Sequence, residues 1–193
     1  MPYKNYDVPR GTMEAYINLL FTWNEKINLV SIKNNDELME RHILDSLQLI
    51  EYIDKEQVVF DIGSGAGFPG LMLSYAGIKK VNLVEKIKKK ANFLITASSF
   101  SNNKIEIYNQ AIETIKTNTC DVITARGFAS LDNILSSTKN IANKNTKYIL
   151  LKGKNIDSEI KKALENWNFK YIMHKSKTSE EGCILILEQL EQK

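Results

Sequence analysis

The densest chemical signal in the chain is the run Asp61-Ile62-Gly63-Ser64-Gly65-Ala66-Gly67-Phe68-Pro69-Gly70. Four of the nine glycines fall within it, which calls for positive φ angles or close backbone approach to a ligand. Pro69 suits the first turn of a following helix, whose free N–H groups would face the loop. A strand, a glycine turn and a helix N-terminus together make a cradle for a ligand. Asp61, two residues before Gly63, is placed to accept hydrogen bonds from an ammonium group, directly or through water. Glu85 ends the next apolar run, 20 residues beyond Gly65, and is placed to bind both hydroxyls of a ribose. No P-loop lysine pattern and no G-x-S-x-G nucleophile elbow occurs.

The elements that must hold this cradle follow from periodicity. Residues 1–55 read as a helical extension. From Thr12, a plausible cap, Met13, Tyr16, Ile17, Leu20 and Trp23 recur at spacings of three and four. Asp36 is placed to cap a second helix, 37–52, with Leu38, Ile43, Leu47 and Ile50 inward. Residues 56–193 read as the main domain. Short apolar runs at 58–62, 81–85, 105–108, 121–125 and 148–152 alternate with helix-like stretches at 69–77, 87–99, 111–117, 130–142 and 157–167. Such βα alternation predicts an α/β fold with a parallel sheet covered on both faces. The runs at 171–174 and 183–189 have no helix-length gap between them and predict an antiparallel pair at one edge. The expectation is a seven-stranded doubly wound sheet with the N-terminal helices packed on it. Ligands then bind at the carboxyl ends of the strands, near the switch in strand order.

Composition excludes several classes. The 193 residues include 43% hydrophobic and 25% charged types, ordinary for a soluble globular protein. Two cysteines, Cys120 and Cys183, share no Cys-x-x-Cys, so a zinc ribbon, an iron–sulfur cluster and a disulfide scaffold are not expected, and no metal is. No signal peptide or membrane span is legible, and the expected compartment is the cytoplasm. Twenty-six basic residues against 23 acidic give +3, which permits a nucleic-acid partner. Only three of the basic residues are arginines, Arg10, Arg41 and Arg126, beside 19 asparagines. Lysine runs therefore carry little weight in this composition.

The ligand has two readings. From Gly65 the loop fits G-x-G-x-x-G, the dinucleotide fingerprint, which wants the same acid at Glu85. The run D-x-G-x-G-x-G also closely resembles the opening motif of the class I S-adenosylmethionine-dependent methyltransferases. The acceptor is constrained by absences. The only prolines are Pro2, Pro9 and Pro69, so the Asn/Asp-Pro-Pro-aromatic loop common in exocyclic-amine methylation is missing. Cys120 follows Thr119 at the start of a strand and reads as a buried small hydrophobe rather than a nucleophile. His42 and His174 are the only imidazoles, with His174 structural. A ring nitrogen such as guanine N7 would fit, because its lone pair carries no proton and needs no general base.

Further residues carry a more specific likeness. Trp23-Asn24, Ile27-Asn28-Leu29-Val30-Ser31 and Arg41-His42-Ile43-Leu44-Asp45-Ser46 precede the glycine loop. Arg126 with Phe128-Ala129-Ser130-Leu131, then Leu151-Lys152-Gly153, follow it. Together these resemble the RsmG (glucose-inhibited division protein B) family of 16S ribosomal RNA methyltransferases. The resemblance implies S-adenosyl-L-methionine as cofactor and guanine N7 near the decoding centre as acceptor. It implies that Gly63 and Phe68 line the cofactor pocket, that Ile112 and Glu113 flank the adenine, and that Arg126 lies by the methionine or the target base. Ala125 and Gly127 depart from the serine and alanine usual around that arginine. Arg126 and Lys152 are the candidate catalytic residues; Asp61, Gly63, Gly65, Gly67, Phe68, Glu85, Ile112 and Glu113 are the candidate cofactor ligands. Arg41, His42, Lys88, Lys89 and Lys152 are candidates for RNA contact, although Arg41 and Asp45 could simply pair at i,i+4. The expected partner is 16S ribosomal RNA or the small subunit, met by a monomer. A small-molecule methyltransferase, an NAD(P)-dependent oxidoreductase and an RNA-binding protein with a vestigial pocket remain open alternatives.

Overall fold

The computed structural model describes residues 2–32 and 34–193. One sheet contains β1 (Val58–Ile62), β2 (Lys80–Val84), β3 (Lys104–Tyr108), β4 (Val122–Arg126), β5 (Lys147–Lys152), β6 (Trp167–Lys175) and β7 (Cys183–Gln192). Their order is β3-β2-β1-β4-β5-β7-β6. The first five strands pair in parallel, and β7 runs antiparallel to both β5 and β6. The doubly wound sheet with a terminal hairpin is therefore present as expected. β1 pairs with β2 on one side and β4 on the other, so successive connections leave it in opposite directions and open a crevice at its carboxyl end.

Side chains alternate across each strand, and the apolar ones divide cleanly between two cores. Val59, Val81, Leu83, Val122, Ile149 and Leu151 enter one core, together with the N-terminal helices. Phe60, Ile62, Ile123, Ala125, Tyr148 and Leu150 enter the other. This two-sided burial explains why the strands read as unbroken apolar runs.

The first core is covered by α1 (Arg10–Asn24), by residues 35–52, and by α4 (Gly70–Tyr75) and α5 (Lys88–Ser98). Residues 35–52 form one helical path of changing pitch: α2 (Asn35–Leu38), a π-helical segment Met39–Leu44, α3 (Asp45–Leu47) and a 3-10 segment Gln48–Tyr52. The second core is covered by α6 (Leu131–Ser137) and α7 (Ile156–Asn166).

Four local expectations are corrected. Thr12 does not cap α1, which starts at Arg10; the Thr12 hydroxyl instead donates to Phe100 O at 3.4 Å. The second helical path is capped by Asn34, whose Oδ1 accepts from Glu37 N at 2.9 Å, not by Asp36. The helix expected over 111–117 is a single 3-10 turn, Ile112–Thr114. Ile112 and Ile115 are buried there without a helix, because the segment is a tucked loop. Cys120 precedes β4 rather than beginning it, and is buried as expected.

Candidate cofactor cavity and its surroundings

The glycine loop is built from both sides. Gly63 N and Ser64 N donate to Val84 O at 2.9 and 3.1 Å, tying the loop to the end of β2. The Tyr16 hydroxyl on α1 donates to Ala66 O at 2.7 Å and fixes the loop's far limb to the N-terminal helices. Gly63, Gly65 and Gly67 all have positive φ. At Gly65 (φ +56°) a Cβ would meet only Gly63 O, at 3.8 Å, so this backbone faces open space. At Gly67 a Cβ would strike Leu71 at 2.3 Å, so that glycine serves internal packing.

Asp61 lies behind the loop. It stands opposite Thr124 in the β1–β4 register and accepts from Thr124 Oγ1 at 3.0 Å through Oδ1. Its Oδ2 accepts from Gly70 N, the first residue of α4, at 3.2 Å. The carboxyl group is fully buried, and burial raises it from 3.8 to about 6 against those hydrogen bonds. Both carboxylate oxygens are thus turned to β4 and α4, and Asp61 supports the loop and helix from behind.

Glu85 follows β2 and lines a cavity of about 300 Å³ with Ile62, Gly63, Val84, Ile112 and Glu113. Its Oε2 accepts from Gly65 N at 3.0 Å and its Oε1 from Ile87 N at 2.7 Å. Each carboxylate oxygen retains a second lone pair, so the acid is oriented by the backbone and can still accept from hydroxyls. The Asn109 side chain donates to Glu85 O at 2.8 Å and holds the opposite wall. Lys86, Ile87, Gln110, Ala111, Gly127 and Phe128 complete the lining, and the sequence alone marks none of them as part of it. The walls suit a purine nucleoside: aliphatic faces for the base and one oriented carboxylate for the sugar hydroxyls. Gly63, Glu85, Ile112 and Glu113 thus share one cavity.

Phe68 does not line it. Its ring is buried against Tyr16 (centroids 5.8 Å apart) and His42 (5.3 Å), with the Arg126 guanidinium 5.1 Å above its centroid. Arg126 donates through Nη1 to Arg41 O at 2.7 Å and through Nη2 to His42 Nδ1. Asp45 Oδ2 lies 3.8 Å from Nη1. The guanidinium fork is thus spent on the π-helical segment that passes above it. Burial and the neighbouring Arg126 lower His42 from 6.5 to about 4, leaving the imidazole neutral with Nδ1 as the acceptor. Arg41 does not pair with Asp45; its guanidinium, 73% exposed, lies 3.3 Å from Glu37. Asp45 instead accepts from Gln48 Nε2 (2.8 Å) and Thr178 Oγ1 (2.7 Å), joining this segment to the β6–β7 loop.

Lys152 turns the other way. It is only 8% exposed, donating to Glu159 Oε2 at 2.7 Å and to Ala129 O at 2.9 Å. Leu131 N, which opens α6, donates to the same Glu159 oxygen at 2.7 Å. Glu159 was not foreseen. Lys88 and Lys89 are exposed at the start of α5, beside Lys86 on the cavity rim. His174 stacks on Tyr52 at 4.8 Å, away from the cavity. Among the described residues no His, Cys, Asp and Glu cluster could hold a metal, and no helix is long and apolar enough to cross a membrane.

Comparison with known proteins identifies the lineage. The family model GidB, rRNA small subunit methyltransferase G, matches residues 10–184. Ribosomal RNA small subunit methyltransferase G of Rickettsia felis is 47% identical over 188 residues, 95% of this chain and 97% of the relative. Its namesake in Rickettsia typhi is 48% identical over 174 residues, 90% of each chain. The fold is similar to ribosomal protein L11 methylase from Lactobacillus delbrueckii subsp. bulgaricus, with a TM-score of 0.63 at 14% identity over 83% of this chain and 81% of that one. It is also similar to M. jannaschii TYW2 in complex with AdoMet, with a TM-score of 0.59 at 16% identity over 84% and 79%. Nearly the whole sequence is covered by these relatives, and the chain belongs to the rRNA small subunit methyltransferase G family.

Proposed function

We propose that this chain methylates N7 of a guanine in 16S ribosomal RNA near the decoding centre, with S-adenosyl-L-methionine as donor. The observation that carries the reading is the cavity at the carboxyl ends of β1 and β2, where Gly63 and the oriented Glu85 face Ile112 and Glu113, in a chain of this family. The residues fit the cofactor: Gly65 turns bare backbone to open space, Glu85 offers lone pairs to a ribose, and Val84, Ile87 and Ile112 offer apolar walls to an adenine. When bound there, the cofactor supplies a methyl group activated by a positively charged sulfur.

The protein's part is alignment and exclusion of water. Guanine N7 carries a lone pair and no proton, so the site needs no general base. The two imidazoles accord with that, since His42 is held by Arg126 and His174 by Tyr52. Arg126 and Lys152 act as positioning residues, one holding the π-helical segment and the other the loop after β4. The same reading takes the active species to be a cytoplasmic monomer working on the small subunit or its RNA. Incubating unmodified small subunits with methyl-labelled cofactor and mapping the labelled base tests it. Label on one guanine N7 is the expected result; RNA left unlabelled, or label on another atom, overturns it.

A further inference from the structure

The loop that leaves β4 carries an aromatic ring to the rim of the cavity. Phe128 is 38% exposed, and its ring rests on the backbone of Gly63, where a Cβ would lie 2.4 Å from Phe128 Cδ2. The ring borders the cavity that holds Glu85 and Ile112. Its neighbour Gly127 borders both that cavity and an adjoining groove lined by Arg126, Lys152 and Lys154 together with Asp45 and Glu181. The loop is short and pinned on either side of the ring. Arg126 is held by Arg41 O, Ala129 O by Lys152, and Leu131 N by Glu159. A flat apolar face held rigidly between a nucleoside-sized cavity and a polar groove of mixed charge has the form of a base-stacking platform.

We infer that Phe128 is the platform on which the acceptor purine stacks, setting the plane of that base where the cavity opens into the groove. This rests on the proposed methylation of RNA. Phe128 touches the substrate base and moves no proton; Lys152 and Glu159 position it through the loop. Because stacking requires a π face, apolar bulk alone does not substitute.

The test compares Phe128→Ala, Phe128→Leu and Phe128→Trp. Calorimetry gives their affinity for S-adenosylhomocysteine, and steady-state kinetics gives KM and kcat with unmodified small subunits. The expected result is a KM raised about tenfold or more in the Ala and Leu proteins, with Trp within about threefold of the parent. Phe128 also borders the cavity, so S-adenosylhomocysteine affinity falls in the Ala and Leu proteins, but by less than KM rises, because Ile62, Val84, Ile87 and Ile112 keep the other walls. Emission from Phe128→Trp, corrected for Trp23 and Trp167, is quenched when subunits are added with S-adenosylhomocysteine present. The inference is overturned if Leu restores KM as well as Trp does. It is equally overturned if Ala loses S-adenosylhomocysteine affinity with KM unchanged, which would make Phe128 a cofactor wall. A parent protein that binds S-adenosylhomocysteine but never labels the RNA would sink the methylation reading itself, and the platform with it.

Discussion

Arg126 and Lys152 leave adjacent strands at the same edge of the sheet, yet they point to opposite faces. The alternation of β4 puts Arg126 with Val122 and Thr124, toward the N-terminal helices and Phe68. That of β5 puts Lys152 with Tyr148 and Leu150, toward α7 and Glu159. This parity was legible in the sequence and would have separated the two roles; the partners were not, because His42 and Glu159 come from elements remote in the chain. The cradle was legible for the opposite reason, since three alternating glycines and the acid at 85 lie in order along two consecutive strand ends. The structure makes Gly65→Val more demanding than a simple obstruction. At φ +56° a β-branched residue costs about 1–2 kcal/mol, to be read as a lower urea midpoint. S-adenosylhomocysteine affinity should fall by about tenfold or more in calorimetry, and wild-type affinity would exclude the loop from the site. Acid stability offers a second check. Asp61, raised to about 6, is easier to protonate folded than unfolded, so it adds stability as pH falls from about 6 toward 3.8. His42, lowered to about 4, is harder to protonate folded, so it removes stability as pH falls from 6.5 toward 4. The two opposing slopes overlap. Urea midpoints across this range should fall more steeply with acid in Asp61→Asn and less steeply in His42→Asn, and parallel profiles would refute both assignments.

Two elements frame the cavity without lining it. The π-helical segment Met39–Leu44 brings Arg41 O and His42 to Arg126, a local widening of the kind found at functional sites. Periodicity over 37–52 foretold the buried Leu38, Ile43 and Leu47 but not the change of pitch, which depends on what packs above β4. The stretch 111–117 failed in the reverse direction: its two isoleucines have helical spacing, yet the chain needs only a turn there to bring Ile112 and Glu113 to the cavity. The second framing element is α7, through Glu159. Glu159→Gln removes the charge that holds Lys152 and weakens the bond from Leu131 N. A charge-assisted hydrogen bond of this kind contributes about 1.5–3 kcal/mol. Stability to urea should drop by that order, and KM for the small subunit should rise with S-adenosylhomocysteine affinity kept, because the loop carrying Phe128 loosens. Loss of stability without any change in KM would confine Glu159 to the fold.

At the level of the molecule, a net charge of +3 is too small to mark an RNA-binding face, so placement has to decide. Several lysines are neutralised locally: Lys79 by Glu56, Lys104 by Glu106, Lys147 by Glu188 and Lys177 by Glu51. Lys86, Lys88 and Lys89 are different, being exposed at the carboxyl edge of the sheet with no ion-pair partner among the described residues. They stand at the rim of the cavity, where an RNA presenting a base to the cofactor would bring its phosphates. Each lysine that meets a phosphate releases counterions, and for single-stranded RNA adds about 0.7 to the slope of log affinity against log salt. Lys88→Glu with Lys89→Glu should therefore flatten that slope by about 1.4 and weaken binding most at low salt. S-adenosylhomocysteine affinity should be unchanged, since neither residue lines the cavity. Filter binding to unmodified small subunits between about 50 and 200 mM salt reads the slope directly. An identical slope in the doubly reversed protein would make this a solvated helix face, and the RNA would have to approach over Lys154 and the groove beyond Gly127 instead.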